Sequence, residues 1–202
     1  LRCLNLVEEL SDGQIWLDGN EISHPGINED EVRADIGLVF QSYNLFAHLS
    51  ILENITLAPR LVLKKSKEDA TAQALSLLTR FGLADKADAY PNLLSGGQQQ
   101  RVAILRAIAT EPKVLLLDEV TSALDPVLIA EVLSLIAELK ADGITMVIST
   151  HEMGFAKKIA DSVVFLSEGR ICEGGTPQQI FENPQTAELK NFLSALHDAG
   201  RL

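Results

Sequence analysis

The sequence has 202 residues, 47% of them apolar, and its 17 Lys and Arg against 28 Asp and Glu give a net charge of -11. That length and apolar share suit one globular domain with a substantial hydrophobic core. The acidic balance argues against a protein that coats nucleic acid, because the surface of such a protein is basic.

The cysteines and the apolar runs limit the compartment. Cys3 and Cys172 are far apart and form no metal-ligand pattern, which is typical of reduced thiols in a cytosolic protein. No uninterrupted apolar run approaches the roughly 20 residues that cross a bilayer, so a membrane would be reached through a partner. The chain begins at Leu1 without the pattern of a signal peptide, and we interpret this start as a truncation.

The first predicted strands lie upstream of Gln41. Residues 13–17 alternate in polarity as in a strand, and Asp18-Gly19 is a common hairpin turn. Residues 36–40 form an apolar run that predicts a second strand, with Gln41 at its carboxyl end. In isolation, a glutamine after a strand is usually only a loop residue.

Between about Ser50 and Pro91 the apolar period changes from that of a strand to that of a helix. Ser66, followed three residues later by Asp69, is a capping signal, and Gly82 ends the predicted helix. The apolar face of this helix consists of Ala70, Ala74, Leu77, Leu78 and Phe81.

Residues 94–98 predict the start of another helix, one that exposes its amides. Ser95 can cap this helix, Gln98 can close a capping box, and Gly96 and Gly97 leave backbone N–H groups accessible. Such a start can hold an anion, because unpaired N–H groups and the helix dipole both point at it.

A short apolar run then leads to two carboxylates. Residues 114–117 are apolar without alternation, as in a strand that is buried on both faces, and Asp118 and Glu119 follow. Ligands bind at the carboxyl ends of strands in an open parallel sheet, so chemistry is expected at this pair. Neighbouring strand residues point to opposite faces, so the two carboxylates need not do the same job.

Further elements follow towards the end of the chain. Asp125-Pro126 starts a helix that Asp142-Gly143 ends, and its buried stripe consists of Ile129, Val132, Leu133 and Ile136. Residues 145–149 predict the next buried strand, with His151 at its carboxyl end. A terminal hairpin is predicted at residues 162–166 and 170–173, and two short helices near residues 178–182 and 185–199.

Three of these segments together resemble the ATP-binding-cassette (ABC) ATPases. Residues 94–98 match the LSGGQ motif, residues 114–119 resemble the Walker B strand and residues 122–125 resemble the D-loop, in the family's order and spacing. Residues 1–6 resemble the helix that follows the phosphate loop, but no G-x-x-x-x-G-K-[ST] occurs in the sequence. We therefore expect the chain alone to bind ATP weakly or not at all.

The resemblance implies a fold class and a domain organisation. The fold would be α/β, a P-loop NTPase-like ABC ATPase domain with a mixed, largely parallel sheet and a helical subdomain, incomplete at the N-terminus. Residues 1–202 would form this single domain. Residues 1–42 and 96–202 would be its RecA-like core, and residues 43–95 the helical subdomain with the LSGGQ motif at its end.

The resemblance also implies cofactors and residue roles. ATP and Mg²⁺ would be the cofactors, with Asp118 and Gln41 as metal contacts. Glu119 would orient or deprotonate the attacking water, and Gln41 and His151 would bracket the γ-phosphate. The residues that would bind a nucleotide held by a second copy, in a head-to-tail homodimer, are Ser95, Gly96, Gly97 and Gln98. The D-loop would consist of Ser122, Ala123, Leu124 and Asp125, of which the last would relay between the two sites.

Several segments resemble importers of polar amino acids in particular: residues 2–5, 39–46, 53–58, 95–101 and 151–156. The resemblance thus implies a subunit that couples ATP hydrolysis to amino acid uptake through separate ABC permease subunits, at the cytoplasmic face of the membrane. A periplasmic or extracellular solute-binding protein would be an indirect partner.

An apolar cluster of Tyr43, Leu45, Phe46 and His48 either receives a coupling helix of the permease or packs between subdomains.

Other functions stay open at this point. The chain could serve an importer of another small solute, since substrate selection belongs to the permease and binding protein. It could also be a non-catalytic remnant. A soluble cassette ATPase that acts on ribosomes or DNA usually has tandem cassettes or a long coiled coil, and the sequence shows neither. Val120 and Leu105 depart from the family's usual proline and alanine, and we expect activity to survive both.

Overall fold

A computed structural model describes residues 1–198 of the chain. The chain divides into two compact units, Leu1–Ser149 and Thr150–Leu202. Among the described residues, no helix is both long and apolar enough to span a bilayer. The predicted division into residues 1–42, 43–95 and 96–202 stays a prediction.

The first unit contains five helices and five strands within its described residues. The strands are β1 Trp16–Leu17, β2 Asn20–Glu21, β3 Ile36–Val39, β4 Val114–Asp118 and β5 Met146–Ser149. The helices are α1 Glu29–Asp35, α2 Ile51–Leu61, α3 Lys67–Arg80, α4 Gly96–Ile108 and α5 Pro126–Ala141. The predicted helix at the start of the chain is a single 3₁₀ turn, Arg2–Asn5.

The first unit contains a three-stranded parallel sheet with the strand order β3-β4-β5. The central strand β4 is buried as predicted, with Leu115, Leu116 and Leu117 at most 1% exposed. The prediction of a buried strand at residues 145–149 is wrong, since Val147 in β5 is 41% exposed. β5 lies at one edge of this sheet, whereas β3 at the other edge is covered by helices α1 and α4.

Helices α2 to α5 supply much of the core of the first unit. Helix α2 packs against α3 and α4, and α4 also packs against α5 and β3. Side chains that are 2% exposed or less come from all four helices and include Ile51, Ile55, Leu78, Ile104, Leu105 and Ile136. Helix α4 therefore lies between the other helices and the sheet.

The second unit consists of α6 Met153–Ile159, β6 Val163–Ser167, β7 Arg170–Gly175, α7 Pro177–Glu182 and α8 Ala187–Asp198. The predicted terminal hairpin is confirmed, because β6 and β7 pair antiparallel. The core of the second unit is formed by Ile180, Leu189 and Leu193, and Phe165 packs against them. Both predicted terminal helices are present, although Ala199, the predicted end of the second, lies outside the described residues.

Candidate functional site

A cleft lies where β3 and β4 end. The two strands are parallel and in register, with Val39 opposite Leu117, so the residues that follow them emerge side by side. The cleft has a volume of about 340 Å³ and is lined by Arg2, Phe40, Gln41, Ser42, Asn44, Asp118 and Glu119. The structure therefore brings together three sequence-predicted site residues, Gln41, Asp118 and Glu119.

Asp118 is held by a neighbour on the adjacent strand. The Ser149 Oγ donates to Asp118 Oδ1 at 2.7 Å, and the two residues are paired across the β4–β5 ladder. The Arg2 Nε lies 4.0 Å from Asp118 Oδ2. The Asp118 carboxylate is therefore oriented by a hydroxyl on one oxygen and faces a cation on the other.

Glu119 leaves the strand in a left-handed conformation. Its φ is 48°, a region that a non-glycine residue adopts at a cost of about 1–3 kcal/mol. Its backbone N–H donates to both the backbone oxygen and the Oγ of Ser149, each at 3.1 Å. Its carbonyl oxygen accepts from the N–H and the Oγ of Ser122, at 3.1 Å and 2.9 Å. These four hydrogen bonds fix the turn that carries the second carboxylate.

The tip of α4 forms the predicted capping box. The Ser95 Oγ accepts from the Gln98 N–H at 3.3 Å, and the Ser95 N–H donates to Gln98 Oε1 at 3.0 Å. A Cβ at Gly96 would lie 2.6 Å from Tyr43 Oη, and one at Gly97 would lie 2.9 Å from Leu128 Cβ. A side chain at Gly97 would clash with the Cβ of Leu128, so glycine is needed there, whereas one at Gly96 would have to displace the Tyr43 hydroxyl.

The α4 tip and the cleft are separate within one chain. None of the residues 95–98 is among those that line the cleft described above. In the predicted D-loop, Leu124 Cδ2 would lie 3.3 Å from a Cβ at Gly96. Asp125 Oδ1 accepts from the N–H groups of Val127 and Leu128, both at 3.1 Å, which confirms Asp125 as the cap of α5.

His151 belongs to the second unit. Its carbonyl oxygen accepts the Met153 N–H at 3.1 Å, just where α6 begins. The Glu152 N–H donates to Thr150 Oγ1 at 2.9 Å and further fixes this turn. The predicted contact of His151 with a γ-phosphate stays a prediction.

The oxygen groups at the cleft suit a magnesium ion that is shared with phosphate. Mg²⁺ is usually bound by one or two carboxylates, several waters and substrate phosphates rather than by a complete protein cage. Residues 1–198 contain no cluster of three or more His, Cys, Asp or Glu that could form such a cage. Asp118 and the amide oxygen of Gln41 offer the smaller set that a phosphate-bound Mg²⁺ needs.

Sequence reasoning missed Ser149 and Arg2. Ser149 touches both carboxylate-bearing residues, and Arg2 lines the cleft beside Asp118. A serine at a strand end is ordinary, and only the parallel pairing of β4 with β5 reveals its partner.

Comparison with known proteins agrees with this architecture. Residues 1–122 match the family described as "ABC transporter". The chain therefore belongs to the ABC transporter family. It is 50% identical over 206 residues to the arginine transport ATP-binding protein ArgV of Corynebacterium glutamicum, covering 97% of this chain and 81% of the relative. It is 48% identical over 193 residues to the glutamine transport ATP-binding protein GlnQ of Escherichia coli, covering 96% and 80%.

Solved structures show the same fold. CbiO1 from Clostridium perfringens, part of the ABC transporter complex cbiONQ, is 29% identical with a TM-score of 0.80, over 100% of this chain and 81% of that chain. The ATP-binding cassette MJ0796, in a dimeric post-hydrolysis state bound to ADP and Pi, is 33% identical with a TM-score of 0.74, over 87% and 78%. The predicted family, fold class and general function as an ABC transporter ATPase subunit are confirmed.

Proposed function

We propose that the chain is the ATP-hydrolysing subunit of an importer for polar amino acids, acting on separate permease subunits at the cytoplasmic face of the membrane. The observation that carries the ATPase part is the cleft that joins Gln41, Asp118 and Glu119 at the ends of adjacent parallel strands. Support for the substrate class comes from relatives whose names state arginine, glutamine and glutamate transport.

The residues of the cleft suit phosphoryl transfer to water, in which a protein mainly positions groups and neutralises charge. Asp118 would hold Mg²⁺ through a water, and the metal supplies charge neutralisation on the phosphates. Glu119 orients or deprotonates the attacking water. Gln41 contacts the γ-phosphate, and the predicted contact of His151 with the same phosphate is kept from the sequence.

The α4 tip would act on the nucleotide of a second copy. It carries a capped helix start, a kind of site that favours anions, and it does not line the cleft of its own chain. In a head-to-tail dimer, Ser95, Gly96, Gly97 and Gln98 close over the partner's ATP and Asp125 relays between the two sites. The dimeric state of MJ0796 with ADP and Pi supports this arrangement. Closure and opening then drive the permease between two states.

A Glu119→Gln variant tests the chemistry. Hydrolysis is measured on the chain preceded by a phosphate-loop segment, because its own sequence contains no such loop. We expect turnover to fall at least about 100-fold while Mg²⁺-ATP still binds, since the variant loses a base but keeps its shape. The exposed Glu9 lies outside the cleft, so Glu9→Gln is the matched control. Normal turnover by Glu119→Gln would remove Glu119 as the base.

Phe46 is the best candidate for the permease contact. Phe46 is 44% exposed, and its ring meets the His48 ring edge-on at 6.1 Å between centroids. Phe46→Asp should weaken assembly with the permease, measured by co-purification, more than it weakens ATP binding. Leu75→Asp, at an exposed apolar position of α3, is the control. Equal loss of assembly and ATP binding would favour ordinary packing instead.

The solute-binding protein enters this proposal only through the permease. An importer of another small solute would use the same cleft, because the permease and binding protein select the substrate. Uptake assays with arginine, glutamine and glutamate, in a transporter reconstituted with a permease that co-purifies with this chain, decide between these substrates. Failure to transport any amino acid would overturn the substrate class without affecting the ATPase assignment.

A further inference from the structure

The loop that follows Gln41 is tied to helix α4 by one arginine. Arg106 Nη1 donates to the Asn44 oxygen at 2.7 Å, and Nη2 donates to the Tyr43 oxygen at 3.4 Å. The guanidinium carbon also lies 5.7 Å from the centroid of the Phe46 ring. The planar fork of an arginine holds two N–H groups in a fixed geometry that suits two successive carbonyl groups, whereas the three donors of a lysine leave one nitrogen atom.

Two further contacts join α4 to residues on either side of Gln41. Gln100, which is fully buried, donates from Nε2 to the Phe40 oxygen at 3.4 Å. At the other end of the contact, Tyr43 Oη packs directly against Gly96. The helix therefore touches the loop at its tip, in its middle and in its last turn.

A second anchor holds the far end of the loop to α2. Asn54 Oδ1 accepts the Phe46 N–H at 2.8 Å, and Asn54 Nδ2 donates to the Phe46 oxygen at 3.1 Å. Between the end of β3 and these anchors, Gln41 and Ser42 are exposed and line the cleft. The position of Gln41 is thus limited on one side by the strand and on the other by Arg106.

We propose that Arg106 is a positioning residue that couples Gln41 to helix α4. A shift of the helix would move the Tyr43 and Asn44 carbonyls and, through them, Gln41 in the cleft. The tip of the same helix is proposed to bind the partner's nucleotide. Arg106 would therefore transmit a shift of the helix on that binding to Gln41 in the chain's own cleft. This inference rests on the proposed ATPase function and adds a residue to it.

Arg101 provides a matched control on the same helix. Its Nη1 donates to the Phe81 oxygen at 3.2 Å and its Nη2 pairs with Glu131 at 3.1 Å, so it holds the start of the segment after α3 and helix α5 rather than the loop. Burial lowers the pKa of Arg106, yet arginine stays charged in proteins. Arg106→Met therefore removes a half-buried cation and its two hydrogen bonds, and Arg101→Met removes the hydrogen bond and ion pair of Arg101.

The first test needs no activity and uses the chain as it is. Heteronuclear NOE values of the backbone amides report motion on the picosecond to nanosecond timescale. We expect Arg106→Met to lower these values for residues 41–45, while Phe46, held by Asn54, stays rigid. Arg101→Met should leave residues 41–45 unchanged. Unchanged values in Arg106→Met would overturn the proposal.

The second test measures hydrolysis on the chain preceded by a phosphate-loop segment. Arg106→Met should lower kcat about tenfold with little change in the KM for ATP, because misplacing a group costs rate more than ground-state binding. Arg106→Lys should recover part of kcat, and Arg101→Met should lower the melting temperature without lowering kcat. Equal kcat for Arg106→Met and the wild type would overturn the coupling role. If the wild type itself does not hydrolyse ATP, the proposed function fails, and the NOE test still decides whether Arg106 positions the loop.

Discussion

At the residue scale, the cleft depends on a hydroxyl that joins two acidic residues. Ser149 Oγ donates to the Asp118 carboxylate and accepts the Glu119 N–H. The adjacent acids were predictable from sequence, because two carboxylates directly follow an apolar strand. Ser149 was not, because its partners lie 31 and 30 positions away and are found only through the register of β4 with β5.

Removing the Ser149 hydroxyl should weaken Mg²⁺ binding more than it lowers the stability of the fold. In Ser149→Ala, Asp118 loses a donor at 2.7 Å, whereas the Glu119 N–H keeps the Ser149 carbonyl oxygen as acceptor. A hydrogen bond to a charged group contributes about 1.5–3 kcal/mol, so we expect at least a tenfold rise in the Mg²⁺ concentration needed for half-maximal hydrolysis. Ser149→Thr keeps the hydroxyl and serves as the control. The same Mg²⁺ requirement in Ser149→Ala as in the wild type would argue against this role.

At the scale of elements, the sequence predicts features that form within one turn of chain, but it does not predict contacts between residues that are far apart in sequence. The capping box of Ser95 and Gln98 is confirmed because both hydrogen bonds form within one turn of chain. The burial of β5 was predicted wrongly, because burial depends on which strands and helices lie beside it. The contact of Arg106 with the loop after Gln41 joins residues 62 and 63 positions apart, and no sequence pattern marks it.

The start of α8 offers a pH test of one such distant contact. Glu173 in β7 accepts hydrogen bonds from the Thr186 N–H at 2.9 Å, the Thr186 Oγ1 at 2.7 Å and the Gln185 N–H at 3.0 Å. These bonds, those of Thr186 foremost, hold the pKa of Glu173 below its ordinary value of 4.5. The ionised carboxylate therefore stabilises the fold above pH 4.5, and this contribution is lost as the pH falls through the lowered pKa.

Glu173→Gln isolates the charge in this contact. The variant should melt at a lower temperature than the wild type near neutral pH, and the difference should shrink as the pH falls below the ordinary pKa of Glu173. Glu168→Gln, at an exposed carboxylate in the turn of the same hairpin, is the control. Melting temperatures of both variants and the wild type, measured by circular dichroism across this pH range, test this expectation. A difference that is constant with pH would show that the charge of Glu173 contributes nothing.

At the scale of the whole molecule, the proposed ATPase needs two copies. The chain carries a net charge of -11, so two copies repel each other, and a Mg²⁺-bound nucleotide that both copies contact would offset this repulsion. The α4 tip is suited to this because the N-terminus of a helix carries a partial positive charge that attracts anions. Dimers should therefore form with ATP and not without it.

Substitutions at Ser95 separate the cap from the nucleotide contact. Asp, Asn and Ser cap helices about equally well, so Ser95→Asp and Ser95→Asn should both preserve α4 and the melting temperature. Only Ser95→Asp places a negative charge beside the partner's triphosphate, and such like-charge contacts cost several kcal/mol, so its ATP-dependent dimer should weaken about 100-fold. Sedimentation velocity of the chain preceded by a phosphate-loop segment, in the Glu119→Gln background that retains ATP, measures this affinity. If Ser95→Asp dimerises as tightly as Ser95→Asn, or if hydrolysis runs at full rate in a monomer, the helix tip does not clamp the partner's nucleotide.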